Sequence, residues 1–76
     1  MERHTDNIIR IIKTMNENSS LIIDGTTKLT DNLIRISKEC SRKNIKLTIK
    51  LDDDKSTDNV IRLIKASSDN ITIELI

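Results

Sequence analysis

Four aspartates hold the spacing best suited to chemistry. Asp52, Asp53 and Asp54 stand together ahead of Lys55, and Asp24 opens the run Asp24-Gly25-Thr26-Thr27-Lys28. Clustered carboxylate oxygens are the ligands that hard divalent cations take. Asp24, Asp52, Asp53 and Asp54 are therefore candidate holders of Mg²⁺ or Ca²⁺, or a carboxylate mimic of phosphate. The plainer role for each is a solvated turn or a helix-capping group. Other chemically active groups are sparse. His4 is the single histidine, with no Cys or His pair beside it, so a zinc site is not expected. Cys40, the single cysteine, falls at helical spacing from Leu33 and Ile36, on the apolar face of a second helix, and reads as a small buried hydrophobe. One terminal histidine supports no Ser-His-Asp set, so no catalytic residue and no cofactor is assigned. Arg10, Arg35 and Arg62, with Lys13, Lys38 and Lys65, could form a basic ridge for phosphate backbones. However, an Asp precedes each Arg by four residues, the favourable order for an ion pair within one helix. No aromatic side chain exists to stack on a base, so nucleic acid is not the expected partner.

The elements that would position these groups are written as a repeat. Thr5-Asp6-Asn7-Ile8-Ile9-Arg10-Ile11-Ile12-Lys13 returns as Thr30-Asp31-Asn32-Leu33-Ile34-Arg35-Ile36-Ser37-Lys38. It returns again as Thr57-Asp58-Asn59-Val60-Ile61-Arg62-Leu63-Ile64-Lys65, at spacings of 25 and 27 residues. Each copy reads as a helix start. Thr serves as N-cap, and Asp sits in the first turn where the helix dipole favours negative charge. Leu29 is placed to staple onto Leu33 or Ile34. The apolar residues behind each start follow helical spacing and give one apolar face per helix. A polar patch then ends each helix, the last being Ser67-Ser68-Asp69-Asn70. A β-rich run follows each patch. Ile45-Lys46-Leu47-Thr48-Ile49-Lys50-Leu51 and Ile71-Thr72-Ile73-Glu74-Leu75 alternate apolar with polar, while Leu21-Ile22-Ile23 is continuously apolar.

Composition removes whole classes of protein. The 76 residues include 15 Ile, one Gly and no Pro, Phe, Tyr or Trp, which excludes collagen-like and proline-rich chains. One Cys permits no internal disulfide framework and points to a reducing compartment. No apolar run approaches the ~18 residues of a membrane span. Met1-Glu2-Arg3-His4 is not of signal-peptide type, so the expected location is cytoplasmic and no membrane partner is expected. The net charge is +1.

Helix–strand alternation implies parallel strands joined by crossovers. The expected fold is one α/β domain spanning 1–76, with helix–strand repeats at about 5–24, 30–51 and 57–76. In strand order 1-2-3 the helices lie on one face of a three-stranded parallel sheet. Order 2-1-3 would put helices on both faces and strand 1 in the centre, which suits its unbroken apolar run. Order 1-2-3 is favoured because two strands of three alternate with period 2.

Thr30-Asp31-x-Leu33-x-x-Ile36-x-x-x-Cys40, followed by Leu47-x-Ile49, resembles a leucine-rich repeat of the cysteine-containing type. The period matches in all three copies and the detail in the middle one. The resemblance implies a protein-binding sheet face and no catalysis. A consensus-built scaffold without biological function would repeat as closely, and that reading stays open. Ile22-Ile23-Asp24-Gly25-Thr26 resembles the nucleophile loop of haloacid-dehalogenase-type phosphatases, but Ile22 occupies the nucleophile's place, so that chemistry is not expected.

The function expected is a non-enzymatic protein–protein interaction module. Its open sheet face would present Ile22, Lys46, Thr48, Lys50, Thr72, Glu74 and Ile76. The partner is an unidentified protein or a second copy paired through the last strand, which carries no Lys or Pro to block its edge. The alternative is a small regulatory protein that uses the Asp-rich end.

Overall fold

The computed structural model describes residues 4–67 and 69–76. The expectation drawn from Met1, Glu2 and Arg3, and the place of Ser68 in its polar patch, fall outside the described residues. The chain alternates helix and strand: α1 (Thr5–Thr14), β1 (Ser20–Asp24), α2 (Thr30–Arg42), β2 (Lys46–Leu51), α3 (Thr57–Ala66) and β3 (Ile71–Leu75). The sheet is parallel throughout, in the order β1-β2-β3. Ser20 to Asp24 register with Lys46 to Lys50, and Leu47 to Leu51 with Ile71 to Leu75. Helix α2 packs against both α1 and α3 and lies on β2. The helices thus form one layer on one face, and the 19 Å shortest dimension suits one sheet plus one helix layer. Strand 1 is an edge strand despite its apolar run, so the 2-1-3 alternative is not the arrangement adopted.

Each helix begins as the charge pattern requires, with Asp6, Asp31 or Asp58 in the first turn and Lys13, Arg42 or Lys65 in the last. The cap itself is one residue earlier than the sequence suggests. His4, Leu29 and Ser56 are the extended cap residues, and the threonines are the first helical residues. The carbonyl of Leu29 already accepts from the Asn32 and Leu33 amides, so the first turn closes before Thr30 can cap it. Only Ser56 caps through its side chain, accepting from the Asn59 amide at 3.2 Å. Leu29 is exposed rather than stapled onto the next turn.

Helix α2 ends in a Schellman motif. Asn44 takes φ 57°, its amide donates to the Ser41 carbonyl, and the Ile45 amide donates to the Cys40 carbonyl. Asn tolerates the left-handed conformation better than most side chains. Ile45 and Cys40, the apolar pair of that motif, are both fully buried.

The core is aliphatic and centred on the middle repeat. Leu33, Ile36 and Cys40 of α2 meet Leu47, Ile49 and Leu51 of β2 and Ile45 just before it, with Ile12 and Leu63 from the flanking helices. Ile34 is only partly buried at the rim of this cluster. Gly25 is buried for lack of space. A Cβ there would stand 2.8 Å from Ile49 Cγ2, 3.1 Å from Leu51 Cδ2 and 3.2 Å from Leu33 Cδ2. The turn expected at Asp24-Gly25 is present, with the Lys28 amide donating to the Gly25 carbonyl. The glycine there is required by packing, since its φ is not positive.

Candidate interaction surface

The sheet face away from the helices carries three transverse rows. Ser20 pairs with Lys46; Ile22, Thr48 and Thr72 form the middle row; Asp24, Lys50 and Glu74 form the third. These side chains alternate with the buried ones, so the pleat alone puts them on one surface. Ile22 is 64% exposed in the middle row, an apolar side chain beside Thr48 and Thr72. Lys50 Nζ lies 3.8 Å from Glu74 Oε2. Ile76 lies beyond β3 but continues its ladder, its amide donating to the Leu51 carbonyl at 2.8 Å. All seven residues expected on this face therefore share one side of the sheet by strand parity, with Ile76 at its corner.

The Asp-rich end is brought only partly together. Asp24 Oδ1 accepts from the Thr26 amide at 2.9 Å and from Thr26 Oγ1 at 2.7 Å. The Thr26 hydroxyl and amide, helped by the charges of Lys50 and Lys28, hold the Asp24 carboxyl below its ordinary value. Asp52 Oδ1 accepts from the Asp54 amide, as a side chain does in an Asx turn. Asp53 and Asp54 are exposed. Among the described residues no three His, Cys, Asp or Glu side chains are grouped to hold a metal ion.

The basic ridge is laced to its neighbours rather than to itself. Arg35 Nη2 donates to Asp6 Oδ1 at 3.0 Å, and Arg62 pairs with Asp31. For Arg35 and Arg62 the ion pair expected within the helix is replaced by one to the preceding helix, because side-by-side repeats bring them against Asp6 and Asp31. Two lysines do similar work that the sequence did not suggest. Lys43 Nζ donates to the carbonyls of Lys13 (2.9 Å) and Met15 (2.6 Å), at the end of α1 where carbonyls lack helical partners. Lys55 Nζ donates to the Lys28 carbonyl at 2.8 Å and lies 3.3 Å from Thr30 Oγ1.

Cys40 is fully buried, and burial, with a smaller contribution from the Glu39 charge, pushes its thiol up to about 11. The reactive thiolate is therefore suppressed at neutral pH. His4 is the exposed cap residue of α1 and makes no side-chain capping bond.

Besides Leu29, the exposed apolar residues not expected from the sequence lie on the two outer flanks. On the α3 side they are Ile61 (44%), Ile64 (48%) and Leu75 (72%); on the α1 side, Ile11 (38%). All lie on stripes that helical or strand periodicity assigns to the core. The signal that could have found them is their repeat position. The equivalents of Ile11 are Ile36 and Leu63, which are 0% and 1% exposed because a preceding repeat covers them. No helix of the described residues is long and apolar enough to cross a membrane.

No protein-family model, curated protein or solved structure matches the chain.

Proposed function

We propose that the chain is a non-enzymatic protein–protein interaction module that docks through its open sheet face or its β3 edge. The observation that carries this reading is the uncovered face itself. Three rows of side chains stand on a rigid pleat, with Ile22 exposed among Lys46, Thr48, Lys50, Thr72 and Glu74. An apolar anchor ringed by polar groups is the arrangement from which interfaces draw most of their energy. The resemblance to cysteine-containing leucine-rich repeats supports the same face, since such repeats bind proteins through their strands. The reading assigns no catalytic residue, takes Cys40 as a packing residue in a reducing, cytoplasmic setting, and leaves Asp24 and Asp52 as turn formers.

The test is affinity capture from the source cell with wild-type chain and with a face variant carrying Ile22→Glu and Thr72→Glu. Both positions are exposed, so the variant is expected to fold, which its circular dichroism checks. Loss of the captured partner by the face variant supports the reading. Equal capture by both, with loss on Ile64→Glu instead, moves the contact to the flank of α3. Equal capture by all three chains sinks both surfaces.

A further inference from the structure

The repeats give a direct description of what an outer flank lacks. Each junction between repeats uses the same helix positions, with Ile12 and Cys40 at the first where Ser37 and Ser67 hydrogen-bond at the second. The side of a helix that faces the next repeat carries Ile9 and Ile12 in α1, and Ile34 and Ser37 in α2; in α3 the same positions are Ile61 and Ile64. Ile12 and Ser37 are buried, whereas Ile61 and Ile64 stand open. The side that faces the previous repeat carries Ile36 in α2 and Leu63 in α3, both buried, and Ile11 in α1, open. The α3/β3 flank therefore presents one half of the junction and the α1/β1 flank the other.

Charge and backbone follow the same rule. Two rungs of the ion-pair ladder are made, Asp6 with Arg35 and Asp31 with Arg62. Asp58 is the next acceptor and Arg10 the missing donor, and among the described residues neither has an ion pair. In the sheet, Leu47 donates to the carbonyl of Asn70, and Ile76 to that of Leu51. Even-numbered residues of β3 thus turn inward, and Ile71, Ile73 and Leu75 turn their amides and carbonyls outward. On β1 the Gly25 amide donates to Lys50 and the Ser19 carbonyl accepts from Lys46, so Ser20, Ile22 and Asp24 turn outward. These are the donor and acceptor sets that meet at β1·β2 and β2·β3. An open apolar depression lies on each flank, lined by Ile11 and Met15 on one and by Val60, Ile61, Leu75 and Ile76 on the other.

We infer that the occupant of the α3/β3 flank is the α1/β1 flank of a second copy, stacked head to tail as a fourth repeat would be. β3 pairs parallel with the next copy's β1, Ile71 beside its Leu21 and Ile73 beside its Ile23. Ile61 and Ile64 cover its Ile11, and Asp58 takes its Arg10. The contact is heterologous, so it propagates rather than closing a two-fold dimer. One pairing opposes it. Glu74 falls beside Asp24 of the next copy, a like-charge step that weakens the stack. The inference rests on the β3-edge branch of the proposed function and leaves the sheet face free for another partner.

The test uses two flank-blocked variants of the full chain, Ile64→Glu and Ile11→Glu, read by sedimentation velocity. Both residues are already exposed, and thermal melts check that each variant is folded. Wild type is expected to grow past the dimer as concentration rises toward the millimolar range. Each variant alone is expected to stay monomeric, because a stack of identical copies needs both flanks. Mixed in equal amounts, the two are expected to form a dimer and stop there. Glu74→Gln is expected to tighten wild-type association about two- to fivefold by removing the like-charge step. Monomeric wild type at millimolar concentration overturns the inference. So does dimerisation of Ile11→Glu alone, which would mean that β3 pairs with β3. Failure here with capture still lost on the Ile22/Thr72 variant leaves the proposed function standing. Loss of capture by Ile64→Glu with monomeric wild type assigns the flank to a foreign protein.

Discussion

Leu51 and Leu75 occupy the same place in consecutive repeats and register beside each other across β2 and β3. One is completely buried and the other, 72% exposed, is the most exposed of the described large hydrophobic residues. The residue type, the place at the end of a strand and the side of the pleat are the same, so none of these causes the difference. Leu51 is flanked on both sides: Gly25 leaves room for its methyl groups, and Leu33 reaches the same space from α2. Leu75 has a neighbour on one side only. The lesson extends along the helices, where Ile36 and Leu63 are sealed by a preceding repeat and Ile11 is not. Burial in a stacked fold belongs to the junction, and a terminal repeat keeps half a junction.

The sharpest way to break this comparison is to truncate both leucines. Leu51→Ala is expected to cost about 2–5 kcal/mol, the range for a fully buried leucine whose cavity cannot close. Leu75→Ala is expected to cost under ~1 kcal/mol, as exposed positions do. Urea melts on dilute chain check both, and similar losses at the two sites would refute the contrast.

Cys40 tests the middle repeat in another way, since Ser67 holds its place in the third. The unfolded thiol ionises near its ordinary 9.0, while in the folded chain burial holds it up to about 11. The unfolded state therefore loses the proton first as pH rises. Stability from this group is complete below about pH 9 and falls between pH 9 and 11. The fall is worth about 2–3 kcal/mol, at ~1.4 kcal/mol per unit. Denaturant melts across that range should show the decline in wild type and a smaller slope in Cys40→Ala. Equal slopes would mean that the thiol is wetter than its packing indicates.

The smallest effect separates the helix starts. Ser56 caps α3 with its hydroxyl, whereas Leu29 caps α2 with backbone alone. Ser56→Ala is expected to lower stability by about 1 kcal/mol, and Leu29→Ser to raise it by several tenths. Thermal melts resolve both, and no change at Ser56 would show that the third helix does not depend on its cap.

Much of this was legible before any coordinates. The Thr-Asp-Asn repeats located three helices, and the alternation in Ile45 to Leu51 and Ile71 to Leu75 located two strands and placed Lys46, Thr48, Lys50, Thr72 and Glu74 on the open face. These features are local, set by capping, dipole and side-chain period. The cap position was displaced by one residue because Thr, Ser and an extended backbone serve nearly alike at a helix start. The Asp–Arg pattern was visible too, but its partners were misassigned. A spacing of four within a helix and a pairing across two helices leave the same trace in the sequence.

The sequence by itself determined the units: where helices start to within a residue, which way the second and third strands face, and that carboxylates gather at helix starts. Tertiary structure alone decided which apolar stripes are covered and that Gly25 must be small, and it selected the order 1-2-3 that the sequence favoured over 2-1-3. The physical reason is that period and propensity act within about a turn or a pleat. Coverage and space depend on a neighbour some 25 residues away in the chain, or on the absence of one.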